Sequence, residues 1–371
     1  MPSAIPCAID YNSKAMNTKL RLKRLTEVLE QQGADALLVT HMPNVRYLTG
    51  FTGSAGVLLA GKRPVFWTDG RYGEQARKEV GGSRVVVAKG PSVLAALKHA
   101  KASGVKRLGF EAEHVTVAQR RSLSPELHGL RLMETSGVVE TLRLVKDAAE
   151  VDRIRAAVNL ASRCFLPLLR TMRPGVRENE VAARLEFAAR KAGASAMSFE
   201  TIVAGGVRSA LPHGVASDAR LPTRGFVVLD YGVILDGYCS DMTRTVHMGR
   251  ASRESRALYE AVLEAQLAAI AAVKPGVSAG EVDAAARNCL QRNKLAKYFT
   301  HSTGHGVGLE IHEIPRVGVK QNTMLETGMV ITIEPGIYLP GRCGIRIEDM
   351  VVVTDTGCEV LTPVSKELIE I

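Results

Sequence analysis

The apolar positions along the chain change their period in an ordered way. Residues 18–32 carry Leu22, Leu25, Val28 and Leu29 at helical spacing and stop near Gly33, which predicts a helix. Ala36–Thr40 is a short apolar run, the mark of a buried strand. Gly56–Ala60 and Val65–Thr68 read as two further strands, Arg71–Val80 as a helix and Val85–Ala88 as a strand. Ser92–Ala102 then reads as a helix, Leu108–Glu111 as a strand and Val117–Leu123 as a short helix. Strands alternating with helices predict an open α/β sheet. No glycine-rich phosphate loop interrupts this region, and Phe66–Trp67 reads as core.

A boundary is expected near residues 134–146. Asp147 then opens a long helix, because Asp147 and Glu150 have the spacing of a capping box. That helix is predicted to run to about Met172 and to stop at Pro174–Gly175. Beyond it the pattern repeats. RPGVRENEVA (173–182) is echoed by KPGVSAGEVD (274–283), so Pro174, Gly175, Val176, Glu180 and Val181 recur as Pro275, Gly276, Val277, Glu281 and Val282. Each copy follows a long helix and opens a second, and Ser278 with Glu281 forms another capping box. FVVLDYG (226–232) similarly resembles MVITIEPG (329–336), each an apolar strand ending in a carboxylate, Asp230 or Glu334. The second part of the chain therefore reads as two copies of a helix–helix–strands unit around a central cleft. The expected division is a loose tail over 1–16, an α/β domain over 17–140 and a repeat-built domain over 141–371, with Met16 as an alternative start. The fold class is α/β (α+β).

The candidate chemistry gathers on the repeat. After Asp230 the chain reads GVILDGYCSDMTRT, with an Asp236–Gly237 turn signal. Facing residues across a two-residue hairpin have numbers of odd sum, which puts Asp230 and Asp241 on one sheet face. Glu334 ends a strand of the second copy, and Glu348 lies within the apolar run GIRIEDMVVV. A single strand-end acid is ordinarily solvated. Four acids set in apolar strands and paired by a repeat would repel one another unless a cation lay between them. FTHSTGHGVGLEIHE (299–313) adds His301, His305 and His312 among glycines, where a ligand can approach the backbone closely. Carboxylates with an imidazole form a hard donor set suited to manganese, iron or cobalt. The charge count suggests two divalent ions, which can share a bridging water and polarise a carbonyl. The reaction class implied is amide hydrolysis.

Composition narrows the partners. The net charge is +10, but the densest basic run, KLRLKR (19–24), alternates with leucines and lacks aromatics, so it reads as a solvated helix face rather than a nucleic-acid site. Six scattered cysteines without a CxxC pair read as reduced thiols. No signal-peptide pattern and no apolar run of membrane-spanning length are present. The expectation is a cytoplasmic protein with neither nucleic acid nor membrane as partner.

LPHG, LDYG, SDMTRT, STGHGVGLEIHE, TIEPGIY and GIRIED follow one another in an order that resembles the pita-bread-fold metallopeptidases, over about residues 141–365. NVRYLTGFTGSAG and FWTDGRY resemble a creatinase-type N-terminal domain. Among these enzymes the similarity is closest to Xaa-Pro aminopeptidases, which release the first residue of peptides with proline second, and next to Xaa-Pro dipeptidases (prolidases). The resemblance implies that Asp230, Asp241, His305, Glu334 and Glu348 hold two divalent ions, manganese first, with cobalt, iron or zinc as alternatives. Asp241 and Glu348 would bridge, and Glu334 would also take the proton of the attacking water. His213, His301 and His312 would position substrate and stabilise the tetrahedral intermediate, and Arg346 would orient the ligands. It also implies a homodimer, with Trp67 and residues 44–51 facing a neighbour's site, and a proline-containing peptide as substrate. A non-catalytic binding protein on the same fold is disfavoured, because every ligand type is present.

Overall fold

The helical period after Asn17 forms α1 (Thr18–Gln31), which buries Leu22, Leu25 and Leu29 and is capped by the Asn17 side chain. The computed structural model describes residues 17–371, and the chain divides into two compact units after Leu142. The loose tail expected over 1–16, the alternative start at Met16 and Cys7 lie outside the described residues.

The first unit continues with β1 (Ala36–Val39), α2 (Met42–Thr49), β2 (Val57–Gly61), β3 (Val65–Thr68), α3 (Gly73–Glu79), β4 (Arg84–Val87) and α4 (Ser92–Ala102). It ends with β5 (Arg107–Glu111), α5 (Val117–Leu123), β6 (Arg131–Thr135) and α6 (Val138–Leu144). The six strands lie in the order β4-β3-β2-β1-β5-β6, and only β2 runs against its neighbours. Leu38, Leu59, Trp67, Leu97 and Phe110 form its core. Trp67 is thus core, as its apolar setting suggested, and is 3% exposed. Two features differ from the sequence pattern. Residues 42–49 form a helix, whose entry is fixed by the Glu111 carboxylate accepting from Thr40 N (2.7 Å) and His41 N (2.9 Å). The expected boundary at 134–146 holds the end of β6 and all of α6, and the division falls within α6.

In the second unit α7 (Ala148–Leu169) starts on the reciprocal Asp147–Glu150 box and ends slightly earlier than its apolar pattern suggested. There follow α8 (Glu178–Lys191), β7 (Ala196–Met197), β8 (Ile202–Gly205), β9 (Gly225–Tyr231), β10 (Val233–Leu235), β11 (Tyr238–Cys239) and β12 (Met242–Met248). The second copy supplies α9 (Arg253–Ala272), α10 (Ala279–Arg292), β13 (Gly304–Gly306), β14 (Glu313–Val317), β15 (Val330–Ile333), β16 (Gly336–Leu339), β17 (Cys343–Arg346), β18 (Asp349–Val353) and β19 (Cys358–Val360). The fold is mixed α/β, and the repeat is visible in its sheets. One reads β12-β9-β8, and its counterpart contains β18-β15-β13 in the same order. Leu168, Leu185, Val227 and Leu229 pack the first half, and Val262, Leu290, Ile331 and Val351 the second. The Ser278–Glu281 capping box forms at the start of α10.

The hairpin turns at Asp236 and Gly237, both left-handed (φ 49° and 80°), as a two-residue turn of this sequence requires. Asp230 faces Thr243, the register that keeps Asp230 and Asp241 on one face. The ladder is interrupted at Gly232, where a Cβ would lie 1.8 Å from Ser240 O. Beyond that point β10 and β11 leave this sheet, and β10 pairs with β7 on one side and β11 on the other. No helix among the described residues is long and apolar enough to cross a membrane.

Candidate metal centre

Four strand ends of the second unit converge on one cleft of about 660 Å³. Asp230 is the penultimate residue of β9, and Asp241 immediately precedes β12. Glu334 follows β15, and Glu348 immediately precedes β18. His305 lies in β13, beside β15. His213, His301, His312 and Arg346 line the same cleft, so all nine residues singled out from the sequence come together.

Glycines make room for His305. A Cβ at Gly304 would lie 1.9 Å from Thr332 O, and one at Gly306 would lie 2.2 Å from Ile314 O. The backbone passes so closely on both sides that no side chain fits there. The ring is assigned from its contact at Gly306 O (3.0 Å), which accepts from Nδ1–H. Nε2 therefore carries a bare lone pair, and it faces Asp241 Oδ2 and Glu334 Oε1 at 3.6 Å each. A lone pair cannot donate to a carboxylate.

Two buried carboxylate oxygens, Asp230 Oδ1 and Asp241 Oδ1, have no hydrogen-bond partner among the described residues. Burial, and then Glu348, Asp230 and Glu334, push Asp241 well above the carboxylate range. Burial, and then Glu334 and Asp230, do the same to Glu348. Burial lifts Glu334 to about 8 against the opposing pull of Arg346. Burial lowers His305 to about 4, which keeps the imidazole neutral. Crowded acids that resist ionisation, orphaned oxygens and a bare imidazole nitrogen are all relieved by cations between them. Ligand atoms of Asp241, His305 and Glu348 lie within 4.8 Å of one another. The residues present fit a divalent metal site of hard and borderline donors.

Arg346 ties the two halves of this unit together. It donates to Asp230 Oδ2 (2.5 Å), Thr243 Oγ1 (3.1 Å), Pro212 O (3.0 Å) and the Tyr338 hydroxyl (2.6 Å). Thr243 in turn donates to Glu348 Oε2 (2.7 Å). Because Arg346 fills an acceptor position on Tyr338, the tyrosine proton points to His301 Nε2 (2.9 Å), while His301 Nδ1 bonds Ser302 O (2.8 Å). Both nitrogens of His301 are engaged, and burial, with Arg346 next, lowers it to about 4. His312 stands edge-on to His305, with ring centres 4.5 Å apart, and burial lowers it as well. Phe199 and Ile202 give the cleft an apolar side.

Sequence reasoning missed Thr243, Tyr338 and Arg316. Thr243 and Tyr338 act through bonds to Arg346. Arg316, from β14, lines the cleft, donates to Ser302 Oγ (2.5 Å) and pairs with no carboxylate among the described residues. Its place two residues after Ile314, on the same strand face, was the available signal.

A model of the metallopeptidase family M24 matches residues 152–355, and a model of the creatinase/prolidase N-terminal domain matches residues 21–145. A Pyrococcus horikoshii protein named Xaa-Pro dipeptidase is 37% identical over 356 residues, spanning 95% of this chain and 99% of the relative. A solved structure of Xaa-Pro dipeptidase from Bacillus anthracis is similar at a TM-score of 0.92 and 43% identity, covering 96% of this chain and all of that one. The X-Pro aminopeptidase of Thermotoga maritima is similar at a TM-score of 0.89 and 36% identity, covering 95% of this chain and all of that one.

Proposed function

The chain belongs to metallopeptidase family M24, and from that premise we propose that it hydrolyses the bond preceding proline in short peptides with a free amino terminus. The observation that carries the reading is the group of four strand-end acids, three buried and Glu334 partly so, around the bare Nε2 of His305. Asp230, Asp241, His305, Glu334 and Glu348 would hold two divalent ions, manganese first by donor type and cobalt, iron or zinc otherwise. When bound, the ions lower the pKa of water and polarise the scissile carbonyl.

The chain's own residues do the rest. Burial and crowding hold the Glu334 carboxyl protonated, at about 8, without metal; with cations between the acids it would be ionised and would take the proton of the attacking water. His213 and His312 face the cleft and donate to the developing oxyanion or to the leaving proline nitrogen. That nitrogen has no hydrogen of its own, so it must acquire one to depart. His301, with both nitrogens engaged, holds Tyr338 and through it Arg346. Phe199 and Ile202 offer a wall for the pyrrolidine ring. The substrate's free amine meets the acid cluster, which excludes blocked peptides. The assembly proposed is a homodimer, checked by mass in solution together with activity.

Two substrate lengths fit the reading. The sequence resemblance favoured longer peptides cut after the first residue. Arg316 favours dipeptides, because a cleft arginine without an acid partner suits the carboxylate that only a C-terminal proline presents. The test is hydrolysis of Xaa-Pro beside Xaa-Pro-Yaa and N-acetyl-Xaa-Pro, with and without manganese. Arg316→Met is expected to raise KM for the dipeptide by about 10- to 100-fold, the scale of a lost charge-assisted bond, and to leave the tripeptide unaffected. Cleavage of tripeptides alone removes the dipeptide reading. Equal cleavage of acetylated substrate removes the exopeptidase reading altogether.

A further inference from the structure

Each half of the catalytic unit holds, outside the metal centre, a fully buried carboxylate that bonds a segment carrying a cleft histidine. Glu178, the first residue of α8, and Asp283, in α10, are 0% and 1% exposed. Glu178 accepts from Gly205 N (2.8 Å), Ser217 N (3.2 Å), Ser217 Oγ (2.7 Å) and Arg208 Nε (3.0 Å). Arg208 continues to Val215 O (2.8 Å). One carboxylate thus gathers both ends of residues 205–217, and His213 sits between those ends. In the second half Asp283 accepts from Thr303 N (3.2 Å), Thr303 Oγ (2.8 Å) and Arg287 Nε (2.7 Å). Arg287 continues to Phe299 O (3.1 Å) and His301 O (2.5 Å). Again a buried acid and an arginine pin a segment that carries a cleft histidine.

The two devices are not copies of one ancestral residue. The repeat aligns Glu178 with Ala279, while Asp283 lies one turn further along its helix. Each half has arrived at the same arrangement from a different position. Burying a carboxylate this completely is costly unless its lone pairs are filled. What fills them here are donors from the histidine-bearing segments, and His213 lies outside any strand or helix.

We propose that Glu178 and Asp283 are positioning residues, Glu178 fixing His213 and Asp283 fixing His301 at the cleft wall. The proposal rests on the reading of His213 as a group at the reacting centre. Loosening the clamp by a fraction of an ångström lowers turnover without removing any group that touches substrate. The Glu178 clamp bonds none of the four acids or the imidazole of the metal centre, whereas Thr303 O of the Asp283 clamp accepts from Glu334 N (2.7 Å), so metal content is read on the Glu178 variant.

The test uses Glu178→Gln, which keeps the shape but faces two backbone N–H donors with an amide. The expected result is a kcat lower by about tenfold, with KM and metal content unchanged. Amide exchange over residues 205–217 of the metal-free protein should quicken, while α9 and α10 stay protected. Glu178→Asp should restore part of both readouts. Combined with His213→Ala, Glu178→Gln should cost nothing further, because both act through one group. Unchanged kcat and exchange in Glu178→Gln, or full additivity with His213→Ala, overturns the proposal. If His213→Ala alone leaves kcat intact, the role given to His213 fails, and the exchange measurement by itself decides the clamp. Should Glu178→Gln not fold, Arg208→Lys and Ser217→Ala give the same readouts with smaller changes. Asp283→Asn should quicken exchange over residues 299–303 in the same way.

Discussion

The two halves of the catalytic unit present their metal-centre acids in one manner and differ in what their third strands carry to the cleft. In each half one acid stands at the end of an apolar strand and another just before its antiparallel partner: Asp230 and Asp241 around β9 and β12, Glu334 and Glu348 around β15 and β18. The third strand separates them. In the second half β13 carries His305, and His301 and His312 flank it. In the first half β8 occupies the same place in sheet order and carries Ile202 toward the cleft. The repeat thus supplies a symmetric set of carboxylates, and its divergence supplies one imidazole side and one apolar side. A cleft that would hold cations and, on the proposed function, take a proline ring has a use for both.

The symmetric part is tested first, because it should have the largest effects. Asp241→Ala and Glu348→Ala remove matching acids from opposite halves, and each is expected to lose metal and to cut activity by roughly a thousandfold or more, as members of a catalytic unit do. Elemental analysis alongside turnover checks this. Two full metal equivalents in one variant but not the other would break the symmetry. His213→Ala probes the divergent part. It is expected to keep its metal and lose roughly a hundredfold in kcat, the scale of a removed transition-state contact. A change in KM alone would show that His213, the cleft histidine of the first half, only binds substrate.

A smaller effect concerns pH. In the metal-free protein Glu334 is raised from 4.5 to about 8, so its contribution to stability is complete below 4.5 and is lost as pH rises through 8. His301 and His305 are lowered from 6.5 to about 4, so their contribution is present above 6.5 and is lost as pH falls toward 4. Between 6.5 and 8 only the acids act, Asp241 and Glu348 in the same direction as Glu334, and Tm of the metal-free protein should fall across that window while the manganese-loaded protein holds. Calorimetry at three pH values decides it, and a flat profile without metal would count against the crowding of acids. The smallest effect is structural. α10 has the Ser278–Glu281 box, whereas Arg177 before α8 makes no side-chain cap. Ser278→Ala should therefore cost about 1 kcal/mol in urea unfolding, and Arg177→Ala should cost less.

The acids were legible in the sequence because each ends or begins an apolar run, and the repeat put like beside like. His305 was legible from its glycines. Thr243, Tyr338, Arg316 and Glu178 were not, since their partners come from the fold. Thr243 meets Glu348 across 105 positions, and Arg346 reaches Pro212 across 134. The helix at residues 42–49 was hidden for a similar reason. It is short, and the acid that fixes its entry, Glu111, comes from β5. The region expected to be a boundary contains a strand and a helix, because Ser136–Gly137 reads as a turn and masks the regular structure on both sides.

The close passage of backbone at Gly304 and Gly306 sets a limit on how this centre can evolve. With a carbonyl oxygen 1.9 Å from one absent Cβ and 2.2 Å from the other, a library randomised over codons 304–306 should return glycine at both outer positions whatever metal or substrate is selected for. Variation that retunes the cluster has to come from outside the strand, through hydroxyls such as Thr332, which accepts from His305 N (3.0 Å), and Thr243. The strand that presents the imidazole is a fixed frame, and adaptation is confined to what surrounds it.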